Sequence, residues 1–326
     1  MAKLEVRAET WPIRGAFTIS RGTRTKAELI VARLRDGAHL GLGECVPYPR
    51  YGESVESVRK QIESLAGPIA AGLTRESLQE ALPAGAARNA LDCALWDLEA
   101  KRAGKRVWEL AGLPAPKPLT TAYTLSLDTP GAMRAVAKAN AARPLLKLKL
   151  AGPDDLERVR AVRHGAPEAD LIVDANEGWS LADYIEFAPE LAKLGVKMIE
   201  QPLPARDDAA LDGVARPVPV CADEACHDRA SLPALKGRYD MINIKLDKTG
   251  GLTEALALKR EAEKSGFRVM VGCMLATSLS MAPGIVVAQG VAIVDLDGPL
   301  LLDNDREHGL RYEGSLIYPP DAALWG

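Results

Sequence analysis

The N-terminal third of the chain mixes extended and helical patterns. Two extended runs within residues 28–44 flank Asp36-Gly37, a dipeptide that suits the positive φ values of a tight hairpin turn. Apolar residues then recur at steps of three and four between Ala87 and Leu98, which places them on one face of a helix. The segment up to about Leu113 therefore predicts an α+β domain.

A different rhythm begins after Pro114, Pro116 and Pro118, which cannot continue a helix. Short β-rich runs now alternate with stretches of helical length and composition. The predicted strands are residues 120–126, 145–150, 171–174, 196–200, 218–223, 241–245, 268–273 and 291–295. Because a repeated strand–helix step demands parallel strands, eight such steps predict a closed barrel.

The expected fold is α/β, a modified TIM barrel of the (β/α)7β type with an α+β capping domain. We place the capping domain at residues 1–118 and the barrel at residues 119–299. The barrel segment is short and its last strand runs into Asp297-Gly298-Pro299, so we expect the eighth helix to be missing or replaced. The C-terminal tail, residues 300–326, is expected to return to the capping domain.

Charge and composition exclude several classes of function. The chain has 41 basic and 44 acidic residues, a formal net charge of -3, and no long block of like charge, which disfavours nucleic-acid and membrane partners. The N-terminal residues lack the apolar run of a secretory signal. Five scattered cysteines without a CxxC pair argue against a disulfide framework, so we expect a soluble protein in a reducing cytoplasm. The sequence leaves a homo-oligomer open.

Polar residues end seven of the predicted strands, and in a parallel barrel all such ends meet at one mouth. They are Lys149, Asp174, Glu200, Asp223, Lys245, Cys273 and Asp295. A strand has to end somewhere, and one polar end means little. The ordered run lysine, acid, acid, acid, lysine instead indicates an active site, since polar groups half-buried there without a role would be costly.

Asp174, Glu200 and Asp223 lie on consecutive predicted strands, so their carboxylates are expected to converge. Mutual repulsion would raise their pKa values unless a cation lay between them. Ligation by oxygen alone favours Mg²⁺, with Mn²⁺ as a second choice. The alternative is a set of separate salt bridges.

Lys147 and Lys149 are two residues apart on one strand and point to the same side, while Lys245 faces them across the barrel. Burial near other cations would lower a lysine pKa and make the amine a usable base. Two bases on opposite sides of a metal have the geometry of an epimerase. Lysines that only extend from a barrel rim are the alternative, which we assign to Lys248.

Several strings, spread over nearly the whole chain, resemble the enolase superfamily in its muconate-lactonising-enzyme subgroup, and most closely the dipeptide epimerases acting on L-Ala-D/L-Glu. They are Gly-Glu-Cys-Val-Pro-Tyr-Pro-Arg-Tyr-Gly-Glu at 43–53, Gly-Ala-Ala-Arg-Asn-Ala-Leu-Asp-Cys-Ala-Leu-Trp-Asp-Leu at 85–98, Lys-Leu-Lys at 147–149, Val-Asp-Ala-Asn at 173–176, Glu-Gln-Pro-Leu-Pro at 200–204, Cys-Ala-Asp-Glu at 221–224 and Asn-Ile-Lys-Leu-Asp-Lys-Thr-Gly-Gly at 243–251. This superfamily uses a Lys or His base with Mg²⁺ to stabilise an enediolate.

The resemblance implies a role for each candidate residue. Asp174, Glu200 and Asp223 would hold Mg²⁺. Lys149 and Lys245 would be the two acid/base residues, and Lys147 would contact the substrate carboxylate and depress the pKa of Lys149.

Further matches imply the substrate contacts. Asp295 and Asp297 match an Asp-x-Asp motif that binds the α-ammonium group of a dipeptide. Arg24, within a specificity loop at residues 20–25, matches an arginine that contacts the substrate's side-chain carboxylate. The alternative for either arginine of this loop is a solvated charge without a role in binding. Thr124, Cys273 and Met274 match pocket positions, although each could equally serve packing.

The expected function is therefore epimerisation of L-Ala-D-Glu and L-Ala-L-Glu, small-molecule dipeptides, in the recycling of murein peptides. One alternative is another member of the subgroup, such as an o-succinylbenzoate synthase or an N-succinylamino-acid racemase. Others are a metal-free aldolase-like barrel with Lys245 as a Schiff base, and a non-catalytic metal-binding barrel.

Overall fold

The first layer of the structure is a three-stranded antiparallel sheet. The computed structural model describes residues 2–326 and orders this sheet β1 (Lys3–Ile19), β2 (Gly22–Asp36) and β3 (His39–Cys45). The β2–β3 hairpin turns at Gly37, whose φ of 58° is in the left-handed region that glycine tolerates. The β1–β2 hairpin turns tightly at Ser20-Arg21 and carries a register shift between Pro12 and Phe17.

Five helices complete this part of the chain. They are α1 (Val55–Ser64), α2 (Ala66–Ala70), α3 (Arg75–Ala81), α4 (Ala86–Ala103) and α5 (Val107–Leu110), and a 3-10 turn, Pro49–Tyr51, precedes them. Helices α1, α2 and α4 pack on the sheet, and α3 and α5 pack against α4. Helix α4 is buried along most of its length. A Cβ atom on Gly43 would lie only 2.0 Å from the carbonyl oxygen of Ala90, so glycine is what lets β3 lie directly against this helix.

The second part of the chain forms the expected barrel of eight parallel strands. After a short β4 (Leu119–Thr120), the barrel strands are β5 (Tyr123–Leu125), β6 (Leu145–Lys149), β7 (Asp170–Asp174), β8 (Val196–Glu200), β9 (Val220–Ala222), β10 (Met241–Ile244), β11 (Arg268–Gly272) and β12 (Ile293–Asp295). A backbone hydrogen bond of 2.8 Å from Ala122 N to Val294 O brings the two edges together. The prediction of an α/β barrel with a capping domain is confirmed.

The barrel helices surround these strands. They are α6 (Pro130–Ala139), α7 (Asp155–Gly165), α8 (Leu181–Lys193), α9 (Leu232–Leu235), α10 (Leu246–Thr249), α11 (Leu252–Lys264), α12 (Ser278–Val287) and α13 (Gly298–Leu301), with 3-10 turns at Asp208–Leu211 and Arg229–Ser231. The four residues of α13 stand where a complete barrel has its eighth helix.

The strand period sorts side chains between the barrel interior and the helix layer. Leu146 and Leu148 belong to the large core that includes the barrel helices, whereas Ile172, Met198 and Met270 form part of a separate cluster inside the barrel. This apolar cluster fills the interior with side chains. The inward-facing polar residues are therefore left at the carboxyl ends of the strands.

The C-terminal tail contacts the capping domain. Its two short strands, β13 (Tyr312–Glu313) and β14 (Leu316–Ile317), pair with each other, β14 also pairs with β4, and Leu302 bridges to Ile13. The indole of Trp325 donates a hydrogen bond of 3.1 Å to Cys93 O in α4. The division of the chain near residue 118 stays a prediction. None of the helices within residues 2–326 is both long and apolar enough to span a membrane.

Polar side chains of α4 hold the loop that follows β10. Arg88 is 7% exposed and donates hydrogen bonds to Thr249 O at 2.7 Å and Gly250 O at 3.2 Å. Asn89 donates to the carboxylate of Asp247 at 2.9 Å. Because this loop begins directly after Lys245, the capping domain helps to position one flank of the barrel mouth.

We predict that Arg88→Met lowers the free energy of unfolding by about 2–4 kcal/mol, because it leaves several buried carbonyl oxygens without a donor. Urea denaturation followed by circular dichroism measures the change. Arg59→Met is the matched control, since Arg59 is exposed and forms an ion pair with Glu63 on its own helix. Equal midpoints for the two variants would contradict the structural role of Arg88.

Candidate active site

The barrel mouth brings seven charged residues of the predicted site together. Each is less than 9% exposed, although charged side chains are rarely buried to this degree unless they are paired. They are Lys147, Lys149, Asp174, Glu200, Asp223, Lys245 and Asp295. Their roles stay predictions, but their proximity is a property of the fold.

Asp174, Glu200 and Asp223 form a tight carboxylate trio. One oxygen from each residue lies within 4.8 Å of the others. Glu200 Oε1 accepts a hydrogen bond of 2.7 Å from Asn243, while its buried Oε2 accepts none and lies 2.6 Å from Lys147 Nζ in an ion pair. Three buried carboxylates with oxygens this close together fit a hard divalent cation.

The two candidate bases lie on opposite sides of this trio. Lys149 Nζ is 2.6 Å from Asp174 Oδ2, and Lys245 Nζ is 2.6 Å from Asp223 Oδ2. Their strands, β6 and β10, are separated by three strands in either direction around the eight-stranded barrel. The amines therefore face the mouth from diametrically opposed flanks.

The local charges shift the pKa values in opposite directions. Burial alone would raise the pKa of Asp223, but Lys245 and Lys248 hold it well below its usual range. Burial and the neighbouring Asp174 raise the pKa of Glu200 to about 6. Burial disfavours the ammonium form of Lys245, yet Asp223 and Glu200 outweigh that effect and raise the lysine pKa. The expectation of a lowered pKa is wrong for this arrangement, because carboxylates rather than cations surround the amine.

A second acidic corner lies where β12 meets β5. Lys147 Nζ pairs with Asp295 Oδ2 at 2.7 Å, and the other oxygen of Asp295 is buried without a hydrogen bond. Asp297 Oδ2 accepts a hydrogen bond of 2.6 Å from the backbone N–H of Thr124. Burial, reinforced by Asp295, raises the pKa of Asp297 to about 7. The single ammonium group of Lys147 cannot balance the negative charges of Asp295, Asp297 and Glu200 together. This corner can therefore accept a further cation.

A cleft of about 400 Å³ separates the barrel mouth from the capping domain. Its walls include Lys149, Lys245, Cys273 and Met274, and the capping domain contributes Arg24. The guanidinium carbon of Arg24 lies 5.1 Å from the centre of the Tyr48 ring. Among residues 2–326, no carboxylate pairs with Arg24, so it can meet an anion in the cleft.

The placement of Lys248 at a solvent-exposed rim is wrong. The residue is 1% exposed, and its Nζ donates hydrogen bonds of 2.6 Å to Asp223 Oδ1 and 3.0 Å to Asn243 O. It lies on α10, the short helix that begins directly after Lys245. No sequence pattern indicates this position, because α10 has only four residues.

Sequence reasoning also missed a second arginine of the specificity loop and two barrel residues next to the carboxylate trio. Arg21 reaches Asn176 O at 2.9 Å and Glu224 Oε1 at 2.8 Å. Asn176 Oδ1 and Glu224 Oε2 are buried without hydrogen bonds. Both residues lie inside motifs quoted for the family resemblance, but a motif gives no contact partner.

Two curated proteins are similar over most of this chain. It is 50% identical over 314 residues to the L-Ala-D/L-Glu epimerase of Escherichia coli strain K12. The matched region covers 96% of this chain and 98% of that protein. It is 45% identical over 300 residues to an N-acetyl-D-glutamate racemase of Pseudoalteromonas, over 91% and 95% of the two chains.

Solved structures agree with the fold. An enolase family member from Agrobacterium tumefaciens with homology to dipeptide epimerases, holding sodium and L-Ala-L-Glu with an ordered loop, superposes with a TM-score of 0.98 at 56% identity over 100% of both chains. A dipeptide epimerase from Cytophaga hutchinsonii, complexed with Mg and D-Ala-L-Val, gives 0.90 at 28% identity over 98% and 94% of the chains.

Family models match both parts of the chain. The mandelate racemase / muconate lactonizing enzyme N-terminal domain matches residues 1–112, and the enolase C-terminal domain-like model matches residues 132–323. Together with the opposed lysines and the carboxylate trio, these matches show that the chain belongs to the mandelate racemase / muconate lactonizing enzyme group of the enolase superfamily.

Proposed function

We propose that this chain is a dipeptide epimerase, an isomerase that interconverts L-Ala-D-Glu and L-Ala-L-Glu. The observation that carries the proposal is the opposed placement of Lys149 and Lys245 across the carboxylate trio. Inversion at a carbon centre requires a base on one face and an acid on the other, and these two amines supply both. The 50% identity to the Escherichia coli enzyme supports this substrate over the alternatives.

Asp174, Glu200 and Asp223 would hold Mg²⁺, and Mn²⁺ would suit the same oxygen ligands. When bound, the divalent ion supplies positive charge that stabilises the carboxylate of the substrate as negative charge builds on it. Carboxylates that bind such an ion would attract the neighbouring lysine ammonium groups less strongly. Beside such positive charge, the pKa of Lys245 would lie below the raised pKa that Asp223 and Glu200 give it.

The lysines exchange roles with the direction of the reaction. One amine, in its neutral form, accepts the α-proton of the Glu residue, and the ammonium group on the opposite flank donates a proton to the other face. Lys147, held among Glu200, Asp174 and Asp295, would contact the substrate carboxylate. The configuration of the Ala residue is not affected, because neither base faces it.

Two charged regions of the cleft would recognise the ends of the substrate. The unsatisfied oxygen of Asp295 and the carboxylate of Asp297 would bind the α-ammonium group, with Thr124 holding Asp297 in place. Arg24 would bind the side-chain carboxylate of Glu, because a guanidinium group suits bidentate contact with that anion. Cys273 and Met274 would pack against the substrate between these regions.

The biological setting follows from the substrate chemistry. D-Glu joined to L-Ala occurs in murein, and conversion to the L,L dipeptide makes it an ordinary peptide. We therefore infer a role in murein peptide recycling in the cytoplasm, with no macromolecular partner needed for the reaction.

Glu200→Gln is predicted to weaken Mg²⁺ binding by roughly 100-fold or more, because it removes a charged oxygen ligand and keeps the shape of the side chain. Isothermal titration calorimetry with MgCl₂ measures the affinity. Glu190→Gln, on the exposed side of α8, is the control. Similar Mg²⁺ affinity in Glu200→Gln and the wild type would show that the trio is not the metal site.

The wild-type enzyme in deuterated water is expected to exchange the Glu α-hydrogen of both L-Ala-D-Glu and L-Ala-L-Glu. Lys149→Met and Lys245→Met should each slow epimerisation by about 10²–10⁴-fold. Each variant should still exchange the α-hydrogen of one epimer, a different one in each case, since one base remains on one face. Mass spectrometry and proton NMR follow both events.

Loss of exchange with both epimers in either variant would contradict the two-base arrangement. Failure of the wild type with every acidic dipeptide would refute the substrate. Activity that survives EDTA, together with trapping of substrate on Lys245 by borohydride, would instead support the Schiff-base alternative.

Asp297→Asn should lower kcat/KM for L-Ala-L-Glu by about 100-fold, because it removes a charge that faces the substrate ammonium group. Racemisation of N-acetylglutamate, which has no ammonium group, should change much less. Steady-state kinetics of the wild type and of Asp297→Asn, with each of the two substrates, measure this difference in kcat/KM. A wild-type preference for N-acetyl- or N-succinyl-amino acids would favour the N-acylamino-acid racemase alternative over the dipeptide.

A further inference from the structure

The turn of the β1–β2 hairpin is tied to the barrel by two side chains. Ser20 Oγ donates a hydrogen bond of 2.8 Å to Asn176 O. Arg21 Nη1 donates to the same oxygen at 2.9 Å, and its Nη2 lies 2.8 Å from Glu224 Oε1. A third contact, 3.2 Å to Tyr48 Oη, stays within the capping domain. One guanidinium group thus bridges the loops after β7 and β9.

A member of the carboxylate trio lies at the start of each of these two barrel loops: Asp174 ends β7, and Asp223 follows β9. Glu224 follows Asp223 directly. Asn176 lies two residues after Asp174, and its backbone N–H donates a hydrogen bond of 2.9 Å to Asp174 Oδ1. The oxygen that receives Ser20 and Arg21 therefore belongs to a residue whose own backbone is held by a candidate metal ligand.

The loop after β7 has a backbone that needs such support. Asn176 and Glu177 have φ values of 45° and 65°, in the left-handed region that side chains other than glycine rarely adopt. Glu177 N donates to Gln201 O at 2.9 Å, and the Glu177 carboxylate accepts two hydrogen bonds from Arg50, at 2.6 and 2.7 Å. The capping domain and the carboxylate trio hold this loop from opposite sides.

We propose that Arg21 is a positioning residue that couples binding of the divalent cation at the carboxylate trio to closure of the β1–β2 hairpin over the cleft. The inference rests on the metal site of the proposed function. A cation that fixes Asp174 and Asp223 fixes the acceptors on both loops in the geometry that Arg21 bridges. By linkage, a hairpin locked through Arg21 strengthens cation binding by the same factor.

The sign of the effect separates this coupling from simple electrostatics. Arg21 is a cation close to the trio, and its removal would also free the negative charge of Glu224. Charge alone therefore predicts tighter Mg²⁺ binding when Arg21 is replaced by a neutral residue. Coupling predicts weaker binding, because the two loops lose the bridge that holds them in the closed geometry.

The experiment compares wild type, Arg21→Met and Arg24→Met, without substrate. We expect Arg21→Met to weaken Mg²⁺ affinity by about fivefold or more in calorimetry, within the usual range of coupling between sites. Hydrogen exchange should show that saturating Mg²⁺ slows the amides of residues 20–25 in the wild type and not in Arg21→Met. Arg24→Met is the matched control, since it removes an arginine from the same hairpin that has no ion pair with the barrel within residues 2–326.

Each outcome decides between the two proposals. Mg²⁺ binding that is unchanged or tighter in Arg21→Met, or hairpin protection that survives the substitution, would overturn the coupling and leave the metal site intact. Equal weakening in Arg24→Met would also overturn it, since the effect would then follow hairpin charge rather than the bridge. A wild type that binds no Mg²⁺ would overturn the metal site itself. Arg21 Nη1 also lies 3.4 Å from Glu177 Oε2. Should Arg21→Met fail to fold, Glu177→Gln, which weakens the contacts of Arg50 and Arg21 with this loop, must reduce the Mg²⁺-induced protection.

Discussion

Buried charge that is stable only when paired is the constraint on which this structure depends. The barrel mouth holds Asp174, Glu200 and Asp223 within a few ångströms, and isolated ions in such a place would be strongly unfavourable. Lysines 147, 149, 245 and 248 each contact at least one of these carboxylates. The same pairing that allows the acids to be buried holds the amines of Lys149 and Lys245, the proposed bases, on opposite sides of the trio. Stability and chemistry therefore share one set of contacts.

The capping domain contributes to that balance without supplying a lysine or a member of the trio. Helix α4 fixes the loop after Lys245 through Arg88 and Asn89, and Glu44 of β3 accepts a hydrogen bond of 2.9 Å from Thr277 N at the start of α12. These contacts are buried and span the two parts of the chain. The capping domain thus holds the flank of the mouth that carries Lys245, and it also holds the loop from Cys273 to Thr277. These contacts act in addition to those of the barrel strands.

The sequence was informative wherever period and topology decide position. Parallel strands place every strand end at one mouth, so Lys149, Asp174, Glu200, Asp223 and Lys245 could be brought together without coordinates. Contacts that depend on the path of a loop could not. Lys248 lies on a four-residue helix whose direction no period predicts, and Arg21 contacts residues more than 150 positions away. The predicted direction of the Lys245 pKa shift was also wrong, because the shift depends on which groups surround the amine nitrogen.

The two arginines of the β1–β2 hairpin show how far a motif can mislead when only its spacing is known. Arg21 and Arg24 lie three residues apart and have the same chemistry, yet Arg21 contacts Glu224 and Asn176. Arg24 lines the cleft and has no carboxylate partner among residues 2–326. An arginine that is already paired within the protein has to give up those contacts before it binds a ligand. It therefore adds little to the free energy of ligand binding. An uncommitted arginine can meet a carboxylate without first breaking an ion pair, so its full interaction is available to the substrate. The proposed contact between Arg24 and an acidic side chain requires this availability of the guanidinium group in the cleft.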